Sequence, residues 1–248
     1  MNTYLKSELK RALISPLFLI SYIAACVAGF SAMVPEMFME LTEVGVQYFY
    51  GKFYNSALSL LAPLIAVIPF AQSYAIERNS GFSRFVLQRA NATSYYAVKC
   101  IACALSGGLV LALPLITAVI VARIFYPFVP DPNGNWYFIG STISLSQHAY
   151  IAATIGIAFA FGVTFSLLGL ATSTLFRSPY YVPALSMGVY IVPTLVTSLL
   201  MVPHFNITSM WDPGLASGVT SLTLGLQYSI FLVGSLYIGH QYFRFREE

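Results

Sequence analysis

Six stretches of this chain stay apolar for about 20 residues each, at about 17–34, 54–75, 97–122, 148–175, 180–201 and 219–240. A helix rising about 1.5 Å per residue needs about 20 residues to cross about 30 Å of hydrocarbon, so each run has the length of a membrane span. In lipid the backbone N–H and C=O groups must be satisfied within the spanning structure, and the alternating ten-residue pattern of an outer-membrane barrel is missing. Composition points the same way. The 248 residues are 58% hydrophobic and only 8% charged, whereas soluble domains carry roughly 25% charged residues. So few charges cannot cover a soluble surface, and the expected fold class is all-α: one polytopic domain, 1–248, with six transmembrane helices.

Charge placement sets the expected orientation. Lys6, Lys10, Arg11, Arg78, Arg84, Arg89, Lys99, Arg177, Arg244 and Arg246 fall on the side that holds both termini, against Lys52 and Arg123 on the other. Ten against two places both ends in the cytoplasm. The net charge of +3 is then a topology signal and calls for no nucleic acid.

Before the first span, Leu5, Leu9, Ala12 and Leu13 share one helical face, while Lys6, Lys10 and Arg11 lie off it. This reads as an amphipathic helix lying along the cytoplasmic interface, with Pro16 marking the bend into the membrane. The basic start followed by Ile23-Ala24-Ala25-Cys26 imitates a lipoprotein leader, but five further spans favour a retained helix.

Catalytic and metal-binding patterns are sparse. Cys100-x-x-Cys103 opens an apolar helix without a second ligand pair, and "GVQYFYGK" (Gly45 to Lys52) has the wrong spacing for a phosphate loop. His148, His204 and His240 lie far apart near span ends, as interfacial anchors do. No catalytic residue and no metal site are expected. No span carries an ionisable residue near its middle, which disfavours an ion-coupled carrier.

The exception to this scarcity of charge is residues 76–96. Placing three arginines and a glutamate in lipid would cost roughly 10 kcal/mol, so the stretch is read as a cytoplasmic loop. Within it, Ser80 is expected to cap a short helix in which Phe82, Phe85 and Val86 share a face and Arg84 and Gln88 point away. Gly81 marks a tight turn or a close backbone approach. Asn91, Thr93 and Ser94 offer caps for the third span.

Glu77, then Gly81, a short apolar helix, Asn91-Ala92-Thr93-Ser94 and Lys99 at the start of the third span resemble the first cytoplasmic loop of ABC-2 type permeases, the membrane subunits of ABC transporters. "LGLATSTLFRSPYYVPALSM" (Leu168 to Met187) is similar to that family's passage from span four to span five. The likeness covers the whole chain. It departs from the family where Ala90-Asn91 replace a proline, Phe82 a threonine, and Val98 the glycine before Lys99.

The resemblance implies a transport subunit rather than an enzyme. Two such permeases, identical or sister chains, would assemble with two cytoplasmic ATPase subunits, which hold the ATP and Mg; this chain would bind no cofactor. Glu77, Arg78, Ser80, Gly81, Phe82, Arg84 and Phe85 would form the ATPase-coupling element. Spans two and five would line the substrate path, which nominates Gln72, Met187, Tyr190 and Thr194. The implied setting is a bacterial cytoplasmic membrane and the implied cargo an amphiphilic or hydrophobic molecule for export; a carrier or channel working without an ATPase is the alternative.

Overall fold

The computed structural model describes residues 2–38, 45–88, 92–128, 136–139, 143–202, 205–214 and 219–247. The chain opens with α1 (Asn2–Leu13) and turns at Ser15, whose Oγ accepts a hydrogen bond from the Phe18 amide at 3.0 Å. Pro16 takes the first position of α2 (Pro16–Met37), where its missing N–H costs nothing. Next come α3 (Val46–Tyr54) and α4 (Ala57–Val67), the latter capped by Ser56. After α5 (Ser73–Asn79), α6 (Phe82–Leu87) and α7 (Ala92–Phe125), strands β1 (Trp136–Ile139) and β2 (Ile143–Leu145) pair as a short antiparallel hairpin. The chain closes with α8 (Gln147–Leu175), α9 (Tyr181–Leu199), a 3₁₀ turn at Ile207–Met210 and α10 (Ser221–Glu247).

Among the described residues, five helices are long and apolar enough to cross a membrane: α2, α7, α8, α9 and α10. The protein is therefore a helical, multi-pass membrane protein. Exposed apolar side chains run along single faces, including Ile20, Ile23 and Val27 on α2 and Leu222, Leu226, Ile230 and Val233 on α10. Such stripes belong against lipid tails rather than water.

The second expected span, 54–75, is not one helix. Its first residue ends α3, and α4 stops after 11 residues. Pro69 follows closely, and its missing N–H removes one bond of the helical ladder where α4 ends, although Pro63 is accommodated within α4 itself. The backbone turns through residues 68–72 before α5 begins. The third span also differs from expectation, starting at Ala92 rather than about 97 and running for 34 residues, about 51 Å of helix.

The helices are held by close approach. Lipid offers no hydrophobic drive between helices, so small residues that let backbones meet do that work. Where α7 crosses α8, a Cβ on Gly107 would stand 2.7 Å from the Gly162 carbonyl oxygen, and a Cβ on Gly162 would collide with the Gly107 carbonyl oxygen. Beside this crossing Cys103 Sγ donates to Ser166 O at 3.2 Å and Ser166 Oγ donates to Cys103 O at 2.7 Å. Cys103 is thereby engaged in helix packing.

At the other end of α4, segments that lie between the expected spans are built into the core. Val46, Phe49, Tyr50, Phe53 and Tyr54 of α3 are fully buried. Tyr54 stacks on Trp211 with ring centres 5.2 Å apart, and Phe161 meets Trp211 edge-on at 5.4 Å. Tyr54 Oη donates to the Trp211 carbonyl, while Trp211 Nε1 donates to the Tyr54 carbonyl at 3.4 Å. Between the third and fourth expected spans, residues 129–135 lie outside the described residues, as does His204.

Candidate functional site

The charged residues of the 76–96 region meet partners from the start of the chain. On α1, Leu5, Leu9 and Leu13 turn partly inward and Ala12 is buried, as the helical periodicity predicts. Glu8 occupies the same face and is only 4% exposed. A carboxylate buried on an apolar face requires a cation. Lys99, in the second turn of α7 and 0% exposed, donates to Glu8 Oε2 at 2.6 Å and to Glu77 Oε1 at 2.6 Å. Arg11 Nη1 reaches Glu77 Oε1 directly and Glu8 Oε1 at 3.5 Å. Tyr95 Oη donates to the second oxygen of Glu77.

Two carboxylates and two cations thus close a neutral cluster that joins α1, α5 and α7. Its apolar wall includes Phe70, whose ring centre lies 4.9 Å from Lys99 Nζ and 6.0 Å from the Arg11 guanidinium. Burial pushes the Glu77 carboxyl upward, but Lys99, Tyr95 and Arg11 outweigh it and hold the group below its ordinary value. Glu77 is accordingly ionised at neutral pH, as the hydrogen-bond geometry requires.

The next residues tie α5 to α8. Arg78 Nη1 donates to Thr174 O at 3.4 Å, in the last turn of α8, where helix carbonyls lack partners within the helix and favour a cation. Asn79 Nδ2 donates to Arg177 O at 2.8 Å. The short helix therefore hangs from a base fastened to three other helices.

Ser80 does not cap α6 as the sequence pattern predicts. It ends α5, and its Oγ donates back to the Glu77 carbonyl at 3.0 Å. Gly81 then adopts φ +76°, with open space where a Cβ would stand. The glycine serves the left-handed turn, not a close approach. On α6, Ser83 is buried while Phe82 and Phe85 are 47% and 69% exposed. The Arg84 side chain and residues 89–91, including Asn91, lie outside what is described.

The four residues nominated for a substrate path divide into two groups. Tyr190 is buried on α9, its Oη donating to Ser59 O at 3.2 Å and its ring edge-on to Phe161 and Phe165. Thr194 Oγ1 donates to the Tyr190 carbonyl at 2.7 Å, and Met187 is half-buried on the same helix. Gln72 sits at the break before α5, beside a cavity shared with Arg11 and Ser73.

Sequence reasoning missed Glu8, Arg11 and Tyr95 as partners of the loop, and it took Lys99 for a loop-flanking charge. One signal was present: Leu5, Glu8, Leu9 and Ala12 follow the i, i+3, i+4, i+7 spacing of a single helical face. No known family model matches the chain, and no curated protein matches its sequence.

Proposed function

We propose that this chain is the membrane subunit of an ATP-driven transporter of ABC-2 type, with α6 as the element that docks a separate cytoplasmic ATPase. In this reading the broken segment that starts with α4 at Ala57 and runs into the start of α5 supplies a sixth crossing that ends ahead of Glu77, and both termini face the cytoplasm. The observation that carries the proposal is the pairing of an exposed apolar helix with a rigid ionic base. Phe82 and Phe85 are exposed on the surface, while Glu77, one turn earlier, is locked to α1 and α7. A push on α6 would be transmitted to these helices instead of being absorbed by a loose loop.

ATP and Mg would reside on two ATPase subunits, and a second permease copy or sister chain would complete the transport path. Chemistry on this chain would be limited to binding and conformational change. The uncharged spans and their aromatic side chains suit an amphiphilic or hydrophobic cargo moved toward the outside of a bacterial cytoplasmic membrane.

The test is affinity capture of tagged protein from native membranes, with identification of co-purifying chains, for wild type, Phe82→Asp and Phe85→Asp. Recovery of a nucleotide-hydrolysing subunit that both variants lose is the expected result. A well-folded wild-type chain that brings down no such subunit would overturn the proposal and favour a carrier that works alone.

A further inference from the structure

An open groove of about 600 Å³ lies between the first turns of α7 and the last turns of α10. On α8, Ser166 meets Cys103 and Gly162 meets Gly107, so α7 and α8 are antiparallel. Tyr228 donates to the Ile157 carbonyl at 3.4 Å and Gly239 lies beside Ala171, so α10 runs parallel to α8 and antiparallel to α7. The two helices that wall the groove meet where the Tyr96 hydroxyl lies against Gly239: a Cβ on that glycine would collide with it. The groove is the outward side of this contact.

Its two ends differ in chemistry. Thr93 and His240 line one end, and Ile101 and Val233 the other. Thr93 precedes the apolar run that begins at about 97, and His240 closes the run that ends at about 240, so the first end sits at a membrane boundary and the second within hydrocarbon. Eight residues separate Thr93 from Ile101, about 12 Å of helix, which is close to the depth of one leaflet in a core about 30 Å thick. His240 meets the Tyr96 ring with centres 6.1 Å apart and makes no hydrogen bond among the described residues, which leaves an imidazole N–H to donate.

From this combination we infer that the groove holds one acyl chain of a membrane phospholipid. The ester end of the chain lies at His240, whose N–H can donate to an ester carbonyl, and the hydrocarbon lies over Cys100 and Ile101 against Val233 and Leu236. The mostly apolar wall suits a hydrocarbon chain, and the volume is that of a small-molecule pocket, about 300–1,000 Å³. A partner helix about 10 Å across fills about 400 Å³ per turn, so the groove takes little more than one turn and gives a helix no continuous seat. Access is from the bilayer itself: Val233 continues the exposed apolar stripe of Leu222, Leu226 and Ile230 on α10. The site stands whether or not an ATPase docks at α6.

Photocrosslinking of the full-length protein in phosphatidylcholine vesicles tests this, with two phosphatidylcholine probes that carry a diazirine either beside the ester or at the end of the acyl chain. The ester-side probe is expected to mark Tyr237 and His240, and the chain-end probe Ile101 and Val233, each at least about fivefold more than the chain-end probe marks the exposed stripe at Leu222, Leu226 and Ile230. Ala97 lines the groove from an exposed position, so Ala97→Trp fills the groove without entering the core. That variant should lose about tenfold of the groove adducts, keep those on the stripe, and melt at the wild-type temperature. Adducts spread evenly over groove and stripe, or groove adducts that survive Ala97→Trp, would reduce the lipid to ordinary solvent and overturn the inference. Groove adducts that appear only when the protein is diluted among more vesicles would mark a second copy as the occupant and overturn it as well.

Discussion

Lys99 Nζ donates to Glu8 Oε2 at 2.6 Å across 91 residues of chain, and neither side chain is more than slightly exposed. This contact fixes α1 against the start of α7. Lys99 bridges on to Glu77, so the base of α6 shares the same charge.

Removing that charge should be severe. Lys99→Met would leave Glu8 and Glu77 buried with Arg11 as their remaining cation, and breaking a buried pair costs about 3–5 kcal/mol. Unfolding in detergent should show this loss. The double variant Lys99→Met with Glu8→Gln should be less destabilised than the sum of its single changes, because the second substitution removes an uncompensated carboxylate. Strict additivity would disprove the coupling.

Acid should loosen the cluster. Because folding holds Glu77 below its ordinary carboxyl value of 4.5, the folded state binds this proton less readily than the unfolded state. Its contribution is fully present above about 4.5 and is lost as the pH falls through the lower folded value. The melting temperature measured from pH 7 down to pH 3 should fall on the acid side, and Glu77→Gln should flatten that fall. An unchanged acid slope in the variant would contradict the assignment.

The α7–α8 crossing yields a contrast within one helix. Gly162→Ala places a methyl against the Gly107 backbone and should cost about 1–3 kcal/mol, as overpacking does. Gly156→Ala meets open space on the same helix and should be neutral or stabilising, since alanine is the better helix former. Paired thermal melts decide the matter, and equal effects would refute the close-approach argument.

At the turn into α6, Gly81→Ala should cost about 1–2 kcal/mol because φ +76° is strained for a residue with a Cβ. Gly81→Asn should cost less, since asparagine tolerates the left-handed region. No side chain blocks the site, so any loss read by thermal unfolding is conformational.

The membrane class, the positions of five long helices, the inward face of α1 and the turn at Gly81 were legible in the sequence. Each depends on local facts: run length, periodicity of 3.6, or one residue's φ preference. The boundary at Ala92 and the break after α4 were less so, because Pro69 announces an interruption without saying how the chain resumes.

What the sequence by itself determined, then, is that these residues enter a membrane as helices. Composition and run length leave the backbone no other way to satisfy its hydrogen bonds. Tertiary structure decided which charges meet. Glu8 and Lys99 are unrelated by spacing, and only the folding of α1 across the α5–α7 junction brings them within 2.6 Å. It likewise decided that Trp211, in a segment between two expected spans, closes the core over Tyr54. Long-range pairing of this kind depends on which helices pack together, and no local pattern of residues encodes that.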